Sequence, residues 1–307
     1  MDQDAAANAA SMKSQSVTVK VPASTSNLGS GFDTLGLAFQ LYNFVRVQRS
    51  TTKGVRLVSP IPEEERAHAV IMLTEAANLF FRCTRQKAFG IEVHLSGEVP
   101  SARGLGYSAT ARLGIIAALN KLTRAGLDRQ QLLELVTGLE GHPDNASPAI
   151  FGGFTVSGLV EKSVRCLKFP VSSKVQFVTL IPQFKISTEK ARALMPQTFS
   201  KPDAAHSLNR AALITAAFAG GKYELLRGLF DDRFHQPYRE PLIPQLSRVI
   251  QAGEKAGTMG GWLSGSGSAI ICLAVEKAEA VAKAMQKQLP QAEMKILAAD
   301  NDGFKLE

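Results

Sequence analysis

The sequence predicts an α+β protein, and three observations carry that expectation. Stretches with apolar residues at every second position are interleaved with stretches at helical spacing, without the strict strand–helix–strand alternation of a doubly wound sheet. The pattern restarts near Pro170, which separates residues 17–169 from residues 170–307. At 307 residues, 45% apolar and 20% charged, the chain can build one large or two modest domains with a full core. It carries no internal repeat.

Residues 1–16 are rich in Ala, Asn, Ser and Gln, with no apolar stretch of the secretory kind. They read as a disordered leader, with Met12 as an alternative start. Val17 to Val21 alternates and forms a strand, Phe39 to Gln48 forms a second, and Val55 to Val58 pairs nearby. Residues 66–82 place Val70, Leu73, Ala76, Ala77 and Phe80 on one helical face. A strand at Ile91 to Leu95 precedes a helix from about Ser108 to Arg124. Asp128 is an N-cap with Gln131 as its capping-box partner, opening a helix striped by Leu132, Leu133, Val136 and Leu139. That helix ends at Glu140, with Gly141 in the C′ position. Strands at Phe154 to Leu159 and Val164 to Phe169 belong to the first domain or to the crossing into the second. Beyond Pro170 come a strand at Val175 to Ile181, a short helix at Glu189 to Leu194 capped by Ser187 or Thr188, and helices at 204–218, 222–230 and 242–256. A buried strand at Ala269 to Val275, a helix at Ala278 to Gln288 and a strand at Met294 to Ala298 complete the series.

The most informative segment is Pro100-Ser101-Ala102-Arg103-Gly104-Leu105-Gly106-Tyr107-Ser108-Ala109. It sets a glycine-rich turn at the start of a helix, where glycines admit an anion to the backbone and the first helical N–H groups point at it. Ser108 adds a hydroxyl that a phosphate-bound Mg²⁺ can use. No Gly-Lys-Ser/Thr ends the loop, and the three-glycine dinucleotide spacing is missing. Taken alone, the segment reads equally as a structural turn.

Net charge is +8 with basic residues scattered along the chain, which fits a solvated surface or one that attracts anions. A concentrated basic stripe of the nucleic-acid-binding kind is absent. No apolar run approaches the roughly 20 residues needed to span a bilayer. Cys83, Cys166 and Cys272 are widely spaced, form no metal-binding spacing, and read as buried thiols in a reducing cytoplasm.

Two further glycine-rich motifs stand in order with the loop: residues 21–38, which contain Ser24-Thr25-Ser26-Asn27-Leu28-Gly29-Ser30-Gly31-Phe32-Asp33, and Gly261-Trp262-Leu263-Ser264-Gly265-Ser266-Gly267. Glu140-Gly141-His142-Pro143-Asp144-Asn145 and His235-Gln236-Pro237-Tyr238-Arg239 complete a set of five. From about Val19 to the C-terminus the chain resembles the homoserine kinases of the GHMP superfamily. The resemblance implies a two-domain fold: an N-terminal domain like ribosomal protein S5 domain 2 over 17–169, a ferredoxin-like C-terminal domain over 170–307, and a site between them. It also implies ATP-dependent phosphorylation of the L-homoserine hydroxyl in threonine biosynthesis, and a homodimer.

The implied roles follow residue by residue. Pro100 to Ala109 holds the nucleotide phosphates, and Ser108 and Glu140 are the Mg²⁺ ligands, oxygen donors that suit a hard cation. Arg192 and Arg239 receive the substrate carboxylate, a role suited to the planar guanidinium fork. Asp33 and Asp144 meet the ammonium, Asn27 and Asp144 position the hydroxyl, and His142, Thr188 and Gly265 line the same site. Asn145 stands where some relatives carry an aspartate base, so no firm general base is present, and transfer rests on positioning with the proton passing late to a phosphate oxygen. The loop departs from the family's Gly-Leu-Gly-Ser-Ser-Ala at Tyr107, and Gln236 replaces a usual glutamate. Residues 62–72 are expected near the adenine, without the asparagine usual there. Two other readings remain: a kinase for another small alcohol such as mevalonate, against which the paired arginines and Asp33 argue, and a non-catalytic paralogue, supported by Tyr107 alone.

Overall fold

Val19 and Val21 alternate along one strand and Val45 and Val47 along its neighbour, so the first two strands bury a shared face. In the computed structural model, which describes residues 16–307, β1 (Ser16–Asn27) and β2 (Gly31–Ser50) form a long antiparallel pair with a bulge between Pro22 and Ala23. Ser16 already belongs to β1; the rest of the expected leader, and Met12, lie outside the described residues. Next come β3 (Val55–Leu57), α1 (Glu63–Thr84), β4 (Gly90–Gly97), α2 (Tyr107–Thr123), α3 (Arg129–Glu140) and α4 (Ala146–Phe151). β5 (Phe154–Val160) and β6 (Ser163–Phe169) follow as a hairpin. One sheet runs β11-β1-β2-β4-β3, where β11 is Lys305–Leu306, and β5 joins it through β2. α1, α2 and α3 cover one face through Leu73, Phe80, Leu113, Ile116, Leu133 and Val136.

The second sheet is β10-β7-β9-β8, with β7 Gln176–Ile181, β8 Gly260–Leu263, β9 Ile270–Ala274 and β10 Glu293–Ala298. All its pairings are antiparallel, in the spatial order fourth, first, third, second. α8 (Leu246–Ala256) links the first and second of these strands, and α9 (Ala278–Gln286) the third and fourth. This is the ferredoxin-like β-α-β-β-α-β arrangement. α5 (Thr188–Ala193), α6 (Lys201–Ala219) and α7 (Gln236–Arg239) lie in the long connection before α8. β9 is buried on both faces: Ile271 and Leu273 meet the first domain, while Ile270, Cys272 and Ala274 meet α8 and α9. The α+β two-domain expectation matches this architecture.

Some expected elements differ. Residues 222–230 form only a 3-10 turn at Tyr223–Leu226, because Gly228 turns the chain at φ +76. The helix expected over 242–256 starts at Leu246: a short 3-10 turn, Glu240–Leu242, comes first, and Ile243 before Pro244 leaves the helical region. β8 and the Gly31–Ala38 half of β2 hide in glycine-rich sequence that reads as loop. The three cysteines are not alike: Cys272 is buried, Cys166 half-buried and Cys83 exposed on the last turn of α1, where it faces away from the core. Among the described residues no helix is long and apolar enough to cross a membrane.

Candidate active site

A cavity of about 800 Å³ lies between the two sheets' domains. One wall is the loop before α2. Gly104 and Gly106 both sit at φ +74; a Cβ on the first would strike the Ser264 carbonyl and on the second the Ser24 hydroxyl. The loop is fastened from both domains: Ser24 N–H donates to the Leu105 carbonyl at 3.2 Å, Ala269 N–H to the Arg103 carbonyl at 3.0 Å, and Ser264 Oγ to the Gly104 carbonyl at 2.6 Å. α2 begins with no side-chain cap and no acidic residue in its first turn. Its orphan N–H groups therefore present partial positive charge at the cavity wall. Of the ten candidate loop residues, Ser101, Ala102, Gly104, Gly106, Tyr107 and Ser108 line the cavity. Pro100 does not, Leu105 and Ala109 are buried, and Arg103 turns to the carbonyls of Pro182, at 2.8 Å, and Gln183.

Tyr107 is half-buried against both apolar clusters and still lines the cavity. Burial, followed by the charge of Glu65, raises its phenol above the ordinary range, so it stays neutral. Residues from the 62–72 segment (Glu64, Glu65, His68, Ala69 and Met72 on α1) line the cavity on this side.

Ser108 Oγ donates to Glu140 Oε2 at 2.8 Å, and Arg112 Nη1 holds Glu140 Oε1 at 2.7 Å. The last turn of α3 thus meets the first turn of α2. A hydroxyl and one carboxylate oxygen converge, with the second carboxylate oxygen oriented by the arginine, a donor set that fits a hard divalent cation. Arg112 was not legible as a site residue; its signal is the i, i+4 spacing from Ser108 on one helix face.

The acceptor end gathers the other candidates. Asp33, at φ +53, is gripped bidentately by Arg192, Nη1 to Oδ2 at 3.0 Å and Nη2 to Oδ1 at 2.6 Å. His142 Nδ1 bonds Asp144 Oδ1, and carboxylate and imidazole atoms of Asp33, His142 and Asp144 lie within 4.8 Å of one another. Burial opposes charge on His142, but the Asp144 hydrogen bond and the charges of Asp144 and Asp33 outweigh it and raise its pKa. Asp144 itself is 1% exposed. Asn27 accepts the Asp33 N–H at 3.1 Å and donates to the Gly265 carbonyl at 3.3 Å. Asn145 accepts from Ser24 Oγ at 2.9 Å and donates to Ser26 Oγ at 3.0 Å, so its amide stitches the turn after α3 to β1. Thr188 Oγ1 meets Ser266 Oγ at 3.1 Å across the mouth.

Arg239 is 2% exposed yet reaches the cavity. Its Nη1 donates to the Gly265 carbonyl at 2.9 Å and to His235 Nδ1 at 3.2 Å, while Nε has no partner among the described residues. Burial, then repulsion from Arg192, draws its pKa down to about 10, so it remains a cation at neutral pH. The Phe32 ring lies 5.2 Å from the Arg192 guanidinium carbon and 5.4 Å from that of Arg239. It supports both cations through its π face. Phe32 went unread in the sequence, although it adjoins Asp33.

Comparison with known proteins finds relatives across both domains. The family models "GHMP kinases N terminal domain" and "GHMP kinases C terminal" match residues 71–153 and 213–291. A homoserine kinase of Persephonella marina is 40% identical over 303 residues, spanning 94% of this chain and 97% of that protein. One of Caldicellulosiruptor bescii is 36% identical over 300 residues, spanning 94% and 95%. The crystal structure of homoserine kinase from Cytophaga hutchinsonii superposes with a TM-score of 0.84 at 24% identity, over 95% of this chain and 97% of that one. L. major mevalonate kinase, solved with R-mevalonate, shares the fold with a TM-score of 0.72 at 16% identity. Sequence identity of this extent, carried across both domains, makes the chain a member of the homoserine kinase family of GHMP kinases.

Proposed function

We propose that the chain transfers the γ-phosphoryl group of ATP to the hydroxyl of L-homoserine, giving O-phospho-L-homoserine and ADP. One observation carries the reading: a single cavity has the uncapped start of α2 on one side and Arg192, Arg239, Asp33 and Asp144 on the other. An anion cradle and a zwitterion site in one space are what an amino-acid kinase requires. Mg²⁺, a cytoplasmic setting and a homodimer belong to the same reading.

Phosphoryl transfer asks for alignment and charge compensation more than covalent help. The N–H groups of residues 104–108 receive the phosphates, and Ser108 and Glu140 would hold a divalent cation, which would offset phosphate charge. The substrate carboxylate displaces Asp33 from Arg192 and meets Arg239 through Nη2, while its ammonium takes Asp33. Asp144, already bonded to His142, orients the hydroxyl with Asn27. The new bond joins that oxygen to the γ-phosphorus as the β,γ-bridging bond breaks, and the hydroxyl proton passes late to a phosphate oxygen.

The test is Mg²⁺-dependent ADP release from ATP with L-homoserine, L-threonine, mevalonate or no acceptor. Release with L-homoserine alone is expected. Release with mevalonate instead would replace the substrate, and silence with all acceptors from folded, homoserine-binding protein would make the chain a binding paralogue.

A further inference from the structure

We propose that His235 is a positioning residue for the acceptor site: it holds Arg239 in register with the loop that carries Asn27 and Asp33. The inference rests on the proposed homoserine reading and names the residue that makes its carboxylate site rigid.

His235 is fully buried and touches no cavity wall. Its two ring nitrogens reach different parts of the site. Nδ1 stands 3.2 Å from Arg239 Nη1, and Nε2 stands 2.8 Å from the Gly29 carbonyl, in the turn between Asn27 and Asp33. A guanidinium only donates, so Nδ1 must carry the lone pair, and Nε2–H donates to Gly29. Burial, against the pull of Asp232, pushes the ring's pKa down and keeps it in this neutral form.

The backbone around it is equally fixed. Asp232 accepts the N–H groups of Phe234, His235 and Gln236, each at 2.8 Å, and so pins the start of α7. Ser30 Oγ donates to the Asp231 carbonyl at 2.9 Å, seating the Gly29 turn on the same segment. The Phe32 ring packs 5.6 Å from the imidazole. A closed circuit results: Arg239 reaches Asn27 through the shared Gly265 carbonyl and reaches the Asn27–Asp33 turn again through His235. Both Nη1 hydrogens are used in the circuit, which leaves Nη2, met by the Met195 sulfur at 3.7 Å, for the substrate carboxylate.

Two substitutions separate the links. His235→Gln keeps a donor near the Nε2 position and loses the acceptor for Arg239. His235→Asn keeps an acceptor near Nδ1 and loses the bond to Gly29. With kinetics measured against each substrate, His235→Gln is expected to raise the L-homoserine KM about tenfold, the loss of one hydrogen bond to a charged group, with the ATP KM within about twofold. His235→Asn, which breaks the other end of the same link, is expected to raise the L-homoserine KM by about threefold or more, again with the ATP KM within about twofold. An unchanged homoserine KM in the Gln variant, or an equal rise for both substrates, overturns the proposal. Thermal melts identify a variant that fails to fold; if Gln fails, an unchanged homoserine KM in the Asn variant, or an equal rise for both substrates, overturns the proposal, and a selective rise in the homoserine KM supports it. Wild-type protein inactive on L-homoserine overturns the functional reading itself and this inference with it.

Discussion

Arg239 is a buried cation whose charge is compensated only in part by protein groups. Its Nη1 has two acceptors, and among the described residues its Nη2 has only the Met195 sulfur at 3.7 Å and its Nε has none. A carboxylate supplied by substrate completes the set, and removing the guanidinium leaves that carboxylate desolvated without its partner. Arg239→Ala is therefore expected to raise the L-homoserine KM by about 30-fold or more, the value of a hydrogen bond to a charged group. The ATP dissociation constant, measured calorimetrically, should stay within about twofold; equal weakening of both ligands would remove Arg239 from the acceptor site. At this scale the charged residues of the site were legible, because an amino-acid substrate dictates their types and the five motifs give their places. His235, Phe32 and Arg112 were not. The Gly29 carbonyl that His235 meets lies 206 residues away, and nothing in a linear pattern announces a ring that serves two guanidiniums.

The proposed phosphate loop owes its shape to neighbours from both domains. Gly104 faces the Ser264 carbonyl, and the Ser264 hydroxyl in turn grips the Gly104 carbonyl. Gly104→Ala would add a Cβ where that carbonyl stands and force a left-handed backbone on a residue that resists it. The expected cost is about 1–3 kcal/mol in urea unfolding, with a rise in ATP KM larger than that for L-homoserine. A variant as stable as wild type, with unchanged ATP KM, would show that the loop tolerates a side chain and is not shaped by that contact. Elements with a local cause were the readable ones. The capping box at Asp128 and Gln131 forms as spaced, with Gln131 N–H donating to Asp128 at 2.8 Å. β8 was opaque because its sequence, Gly260-Gly261-Trp262-Leu263, takes its strand character from pairing with β9 rather than from its own residues.

The two domains meet along two unlike seams. At the back of the cleft the contact is apolar: Leu35, Leu37 and Phe39 of β2 pack with Phe177, Trp262 and Ile271 of the second sheet in one buried cluster. Such a seam resists opening and depends little on pH or salt. Beside the loop before α2 the contact is polar: Arg103 reaches the Pro182 and Gln183 carbonyls, and Glu65 on α1 takes both Lys185 Nζ and Ser101 Oγ, the latter at 2.8 Å. Adjustment between the domains therefore falls on this second seam. Burial opposes charge on Glu65, but the bonds from Lys185 and Ser101 outweigh it, so its folded pKa lies below the ordinary carboxylate value. The unfolded chain then binds the proton more readily than the folded one. The clasp's contribution is present in full above about pH 4.3 and is lost as pH falls through the lowered native value. Glu65→Gln should accordingly melt below wild type at pH 7, with the gap closing as pH drops below about 4. Because Lys185 is exposed at 45%, the gap should also shrink in about 1 M salt, where the screening length falls to about 3 Å. Melting curves across that pH range decide it: a gap unchanged by acid and salt would mean that Glu65 acts through packing on α1, and that its bond to Lys185 adds nothing to the join between the domains.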